Sequence, residues 1–67
     1  MTLEQIQTAV RSGRKVCWKN PAYQVRLHLL RDKTEQWLVT FVPNGHSVGL
    51  TKADGTLAAK EEDFHEP

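Results

Sequence analysis

Three histidines, His28, His46 and His65, and a single cysteine, Cys17, are the side chains in this chain best suited to hold a metal or act as a nucleophile. Their spacing supports neither role. The histidines are scattered, and no Cys-x-x-Cys or His-x-x-x-His pair is present to seat zinc. Cys17 stands beside Trp18 in an apolar setting, where a thiol without a neighbouring base behaves as a small buried hydrophobe. Asn44-Gly45-His46-Ser47 and Asp54-Gly55-Thr56 carry the glycines of a phosphate loop, but neither has the strand-loop-helix pattern of a phosphate cradle, so both read as turns. A chain of 67 residues also rarely encloses the concave pocket that catalysis needs. A non-catalytic chain without metal or cofactor is the expectation.

Binding chemistry is better represented. Arg11, Arg14, Lys15, Lys19, Arg26 and Arg31 interleave with Trp18, Tyr23 and His28 in the first half of the chain. Cations of this kind can meet phosphates while rings stack on bases, as small β-domains do with single strands. The candidate contact residues are Arg14, Lys15, Trp18, Lys19 and Arg26. The competing reading is a solvated face with both rings turned into the core. Arg26 lies out of phase with Tyr23 on its strand, which leaves Trp18 as the stacking platform. A net charge of +1 and a pI near 7.9 also fall short of the strongly basic balance of nucleic-acid domains.

The charge is polarised along the chain. Residues 1–31 hold six basic side chains against Glu4 alone, and residues 32–67 hold three against seven acids. Such asymmetry either steers a charged partner or draws the two halves together on folding.

The elements that position these residues follow from periodicity and turn chemistry. Thr2 with Gln5 forms a capping box, Leu3, Ile6, Ala9 and Val10 recur at helical spacing, and Gly13 suits the residue after a helix, predicting one helix over about 2–13. Strands are predicted at about 15–19 and 23–30, separated by a turn at Asn20-Pro21. Tyr23, Val25, Leu27 and Leu29 alternate with polar residues, as in a strand with one wet face. A third strand, about 36–42, is apolar on both faces and reads as central. Asn44-Gly45 then turns the chain into a fourth, about 46–51, and Asp54-Gly55 into a fifth, about 56–59. Residues 60–67 form an acidic tail in which Phe64 folds back as an apolar plug, while His65, Glu66 and Pro67 fray.

This order specifies a single α+β domain, an N-terminal helix packed on a five-stranded antiparallel meander, with closure into a small SH3-like barrel as the alternative. Leu3, Ile6 and Val10 are expected to lie on a sheet face that includes some of Val25, Leu27, Val39 and Phe41. The unpaired cysteine points to a reducing cytoplasm. No stretch reaches membrane-span length, and the polar amino terminus lacks the pattern of a secretory leader.

Trp18-Lys19-Asn20-Pro21-Ala22-Tyr23, Val48-Gly49-Leu50-Thr51-Lys52-Ala53-Asp54-Gly55 and Glu62-Asp63-Phe64 resemble segments of short uncharacterised proteins carried by bacterial phages, plasmids and other mobile elements. The resemblance implies a bacterial cytoplasmic accessory protein and carries no activity with it. Taken with the residues themselves, it favours a small macromolecule-binding module whose partner is another protein, with weak nucleic-acid binding by the basic half as the alternative. Exposed strand edges and a limited core make a homodimer a further expectation.

Overall fold

The computed structural model describes residues 1–67. Helix α1, Leu3–Arg11, starts where its cap dictates: the Gln5 N–H donates to Thr2 Oγ1 (3.1 Å) and the Thr2 N–H to Gln5 Oε1 (2.9 Å). The two bonds satisfy donors that the first turn leaves without partners. Ser12 ends it, and Gly13 adopts φ +83°, a left-handed conformation that costs a side-chain-bearing residue more.

The strands are β1 (Cys17–Trp18), β2 (Asn20–Leu29), β3 (Glu35–Phe41), β4 (His46–Gly49) and β5 (Phe64–His65). They form one antiparallel sheet in the order β4-β3-β2-β1-β5. β1 to β4 are a meander, and β3 is interior, as its two apolar faces predict. The hairpin at Asn44-Gly45 closes with Gly45 at φ +72° and its N–H on the Phe41 carbonyl (2.8 Å). Between β2 and β3 the turn is held by Lys33 N–H to Leu30 carbonyl (2.9 Å), with Lys33 at φ +67°.

Three boundaries differ from the sequence reading. The first turn falls at Lys19, φ +62°, instead of Asn20-Pro21, so β1 shortens to two residues and β2 starts at Asn20. A register shift between Cys17 and Trp18 accompanies it. The predicted strand over 56–59 is reduced to a single bridge, Thr51 to Leu57. Asp54-Gly55 does turn the chain, with Lys52 N–H on the Thr56 carbonyl (2.8 Å), but Leu57-Ala58-Ala59 offers only one large side chain to hold a strand in place. The fifth strand is instead Phe64–His65, reached through a 3-10 turn at Glu61–Asp63 and paired with β1 at the opposite end of the sheet. His65 is therefore a strand residue, and Glu66, expected to fray, pairs with Arg14 (3.3 Å).

Residues directly opposite on antiparallel strands share a face, which places Val25, Val39 and Val48 in one row and Tyr23 and Phe41 in the next. On this face the core gathers Ile6, Ala9, Val16, Val25, Val39, Leu50 and Phe64, with Leu3, Val10, Trp18, Tyr23, Trp37 and Leu57 packed around them. The helix stripe thus lies on the predicted face. The other face carries Gln24, Arg26, His28, Thr40 and Ser47, and the buried Thr40 hydroxyl is satisfied by Ser47 Oγ at 2.8 Å. The sheet stays open, with β4 and β5 as its two edges.

Phe64, 3% exposed, fastens the C-terminal segment to this core. Truncating a buried phenylalanine costs about 3–5 kcal/mol, and a domain of this length holds only on the order of 3–10 kcal/mol in total. Urea unfolding followed by tryptophan fluorescence should therefore show Phe64→Ala largely unfolded or shifted to a much lower midpoint. A loss under about 1 kcal/mol would make β5 peripheral.

The turn aspartates give a pH signature. The Thr56 hydroxyl (2.6 Å) and N–H (3.0 Å) both donate to Asp54 Oδ1 and hold its carboxyl below the ordinary aspartate value. Thr34 does the same for Asp32 through its side chain and its N–H. A depressed folded value means stability that is present above the unfolded pKa, about 3.9, and is lost as the pH falls through the folded one. Carboxyl NMR titration should place the Asp54 midpoint below that of an unstructured aspartate, and Thr56→Val should move it back up.

Candidate functional site

The basic series does not assemble into one surface. Trp18 turns towards Tyr23, edge to face with ring centroids 5.1 Å apart, and Tyr23 packs on Phe41 at 4.9 Å. Both rings thus lie on the core side of the sheet. Arg26 occupies the other face beside Gln24, whose Oε1 accepts from its guanidinium at 3.3 Å. Arg14 leaves the end of the helix and pairs with Glu66, and Arg11 pairs with Glu35 at 2.5 Å while its guanidinium lies 5.3 Å over Trp37. Lys15 is exposed ahead of the buried Val16. Of the five candidate contact residues, only Lys19 and Trp18 come together, the ammonium 4.7 Å over the indole. Arg26 lies on the face away from both rings, and Arg14 is engaged by Glu66.

Titratable side chains do not converge either. His28, His46 and His65 sit on three different strands, and no three histidine, cysteine or acidic side chains gather in one place. Cys17 is buried, which keeps its thiol from reagents. The larger depression, about 480 Å³, is a broad opening beside the helix, walled by Met1, Gln5, Phe64, His65 and the Arg14–Glu66 pair. Arg14 and Glu66 are spent on each other, and the Met1 ammonium donates to the Glu61 carbonyl (2.7 Å).

What the sequence reading did not locate is a smaller apolar slot on the core side of β4. It encloses about 160 Å³ between Trp18, Val39, Val48, Gly49, Leu50, Ala58, Ala59 and Phe64. The slot lies where barrel closure would have joined the sheet to itself. β4 stands at one end of the sheet, and the chain that leaves it bends at Leu50 to meet the Asp54-Gly55 hairpin, with Ala58 N–H on the Leu50 carbonyl (3.0 Å). Val48 is consequently 52% exposed although it belongs to the core row. Trp18 Nε1 is the buried side-chain polar atom that finds no acceptor. An unpaired buried donor costs about 1–3 kcal/mol, more than an aromatic contact such as Trp18 on Tyr23 returns, about 0.5–1.5 kcal/mol.

The outer edge of β4 is open as well. Leu50 N–H donates to the Trp37 carbonyl (3.0 Å), and because ladder bonds alternate along an antiparallel pair, Val48 turns its backbone groups to β3 while Ser47 and Gly49 turn theirs outward. Sequence held one signal for this. Gly49 has no side chain to pack, which marks an irregular place in a strand, and in the structure every residue of β4 is exposed.

The arrangement of the basic series has a direct consequence. Fluorescence of Trp18 and Trp37, titrated at low salt with a single-stranded oligonucleotide, should remain unchanged at tens of micromolar, since no ring is presented beside a basic cluster. A saturable quench would restore the stacking platform. Comparison of the chain with family models, with curated proteins and with solved structures returns no match.

Proposed function

We propose that this chain is a small non-catalytic protein-binding module that engages its partner at the β4 edge, in a cytoplasmic and, on its resemblance to proteins of mobile elements, bacterial setting. The observation that carries the reading is the combination at one place of outward backbone groups at Ser47 and Gly49 and the half-exposed Val48 beside an apolar slot. Exposed strand edges are templates for another chain, which supplies the missing ladder bonds. The non-catalytic part of the reading is supported by the sequence, in which no catalytic motif is found. Nucleic-acid binding draws no support from the arrangement of Arg14, Lys15, Lys19 and Arg26.

Val48→Asp tests this without touching the core. The substitution sits on an exposed edge, where strand propensities span only about 1 kcal/mol, so the fold should persist. A tagged wild-type chain should retain a protein partner from bacterial lysate after nuclease treatment and at both low and high salt, because apolar and backbone contacts resist screening. Val48→Asp should lose it. Retention that disappears with nuclease or salt would favour the phosphate-driven alternative.

A further inference from the structure

We propose that Asn44 is a site of spontaneous chemical modification, at which the Gly45 nitrogen converts the side-chain amide to aspartate and isoaspartate and so alters the β3–β4 hairpin as the molecule ages. The inference is independent of the protein-binding reading, because it is read on the chain without a partner. Four turns share one geometry, in which a side-chain oxygen accepts the N–H two residues on: Asn20 Oδ1 from Ala22 (2.9 Å), Asp32 Oδ1 from Thr34 (2.9 Å), Asn44 Oδ1 from His46 (2.8 Å) and Asp54 Oδ1 from Thr56 (3.0 Å). Each bond holds the side-chain carbonyl back against the peptide that follows. It also aims a donor at the oxygen on which charge gathers when the intervening nitrogen attacks. Geometry is common to all four, and chemistry separates them.

Reaction requires a nucleophilic N–H and an electrophilic carbonyl in the same turn. Asn20 lacks the first, since Pro21 carries no N–H. Asp32 and Asp54 lack the second. Hydrogen bonds from Thr34 and Thr56 hold both carboxyls below the ordinary aspartate value, so they are ionised at neutral pH, and a carboxylate resists attack. Asn44 alone has both. Its carboxamide carries no charge to repel the nitrogen, and Gly45 is uncrowded, with nothing within 4 Å of where a Cβ would stand.

The step balances with water as the only co-reactant. The Gly45 nitrogen bonds to Asn44 Cγ, the Cγ–Nδ2 bond breaks, and Nδ2 leaves as ammonia with the proton that the Gly45 nitrogen gives up. Water then opens the cyclic imide at either carbonyl, giving aspartate or, with one more carbon in the main chain, isoaspartate. One bond opposes the attack: the Gly45 N–H donates to the Phe41 carbonyl (2.8 Å), so the nitrogen is released only when the hairpin opens. Residues 42–49 are all exposed, and β4 is a four-residue strand at the edge of the sheet. Such a segment opens at a free energy well below that of global unfolding. The longer main chain of the isoaspartyl form displaces His46 from its place opposite Phe41, and the register of the rest of β4 follows.

Incubation of the whole chain at mildly alkaline pH, followed by proteolysis and mass spectrometry with chromatographic separation of aspartyl and isoaspartyl forms, is the test. Asn44 should gain one mass unit and appear in both forms, at no less than a hundredth of its rate in the urea-unfolded chain. Asn20 should stay unchanged, and Asp54 should stay aspartyl. Asn44→Gln, whose side chain is one carbon too long for the five-membered ring, should remain unmodified. Hydrogen exchange of the Val48 N–H should quicken several-fold in the isoaspartyl form, whereas Asn44→Asp, which keeps the acceptor of the turn, should exchange as wild type does. Conversion slower than a hundredth of the unfolded rate would overturn the site. Isomerisation at Asp54 as fast as conversion at Asn44 would overturn the chemical distinction between the turns, and unchanged Val48 exchange in the isoaspartyl form would overturn the effect on the hairpin.

Discussion

The packing of Ile6 and Ala9 over the Val25–Val39 pair is the contact on which the rest of the molecule depends. These positions seat the helix stripe on the two central strands, and neither partner is stable without it. A nine-residue helix is below the length that holds together in water, and a strand pair is marginal until something covers its apolar face. Once the contact forms, its open sides select the remaining core residues. Val16 and Leu50 fill the flanks, and Phe64 is drawn from near the far end of the chain to the remaining side. The choice of Phe64–His65 over Thr56–Ala59 as the fifth strand comes from the same constraint. Burial of one phenylalanine is worth about 1.5–3 kcal/mol, and the alanines at 58 and 59 have little to set against it.

Charge is subordinate to packing in this fold. The basic first half and acidic second half meet in two ion pairs, Arg11–Glu35 and Arg14–Glu66, both well exposed. Pairs of this kind contribute about 0–1 kcal/mol, too little to fold the chain but enough to bias which end of the sheet the C-terminal segment joins. Glu66 reinforces the place Phe64 takes. The polarity visible in the sequence is thus partly consumed within the molecule, and the cations left over are spread across both faces of the sheet.

Local signals were legible where the chemistry is local. The capping box at Thr2 and Gln5, the left-handed glycines at 13, 45 and 55, and the alternation of Tyr23, Val25 and Leu27 each act within a few residues and appear where the sequence puts them, whereas Leu29, the last member of that alternation, is 69% exposed at the end of β2. The other failures are non-local. Nothing near Phe64 says that it pairs with Trp18, a relation set by which side of the core is unfilled. Nothing near Asn20-Pro21 says that Lys19 will take the turn in its place, since the gain lies in the register of β1 with β5 as well as β2. The slot was illegible for the same reason: its walls come from β1, β3, β4, β5 and the segment after the last hairpin. Trp18 and Lys19 were singled out from sequence as contact residues, and they do meet, but on the wall of an apolar slot and not on a phosphate-binding face.

The two edges of the sheet are treated differently, and the difference bears on function. β5 is two residues long, is followed at once by Glu66 and Pro67, and has its end tied to Arg14. Short length, charge and proline are the devices by which proteins blunt an edge against other chains. β4 shares only the brevity: it contains no lysine, no acid and no proline, and it exposes a valine. Its two outward residues offer a partner up to four backbone bonds, worth about 0.5–1.5 kcal/mol each in net terms, and such bonds are indifferent to sequence. An edge of this length cannot by itself retain or select a partner. Filling the slot adds about 1.5–3 kcal/mol for one fitting side chain, comparable to the ladder itself, and that increment is lost by a strand whose central residue is polar. The slot is therefore what would turn a weak, general strand edge into a selective one.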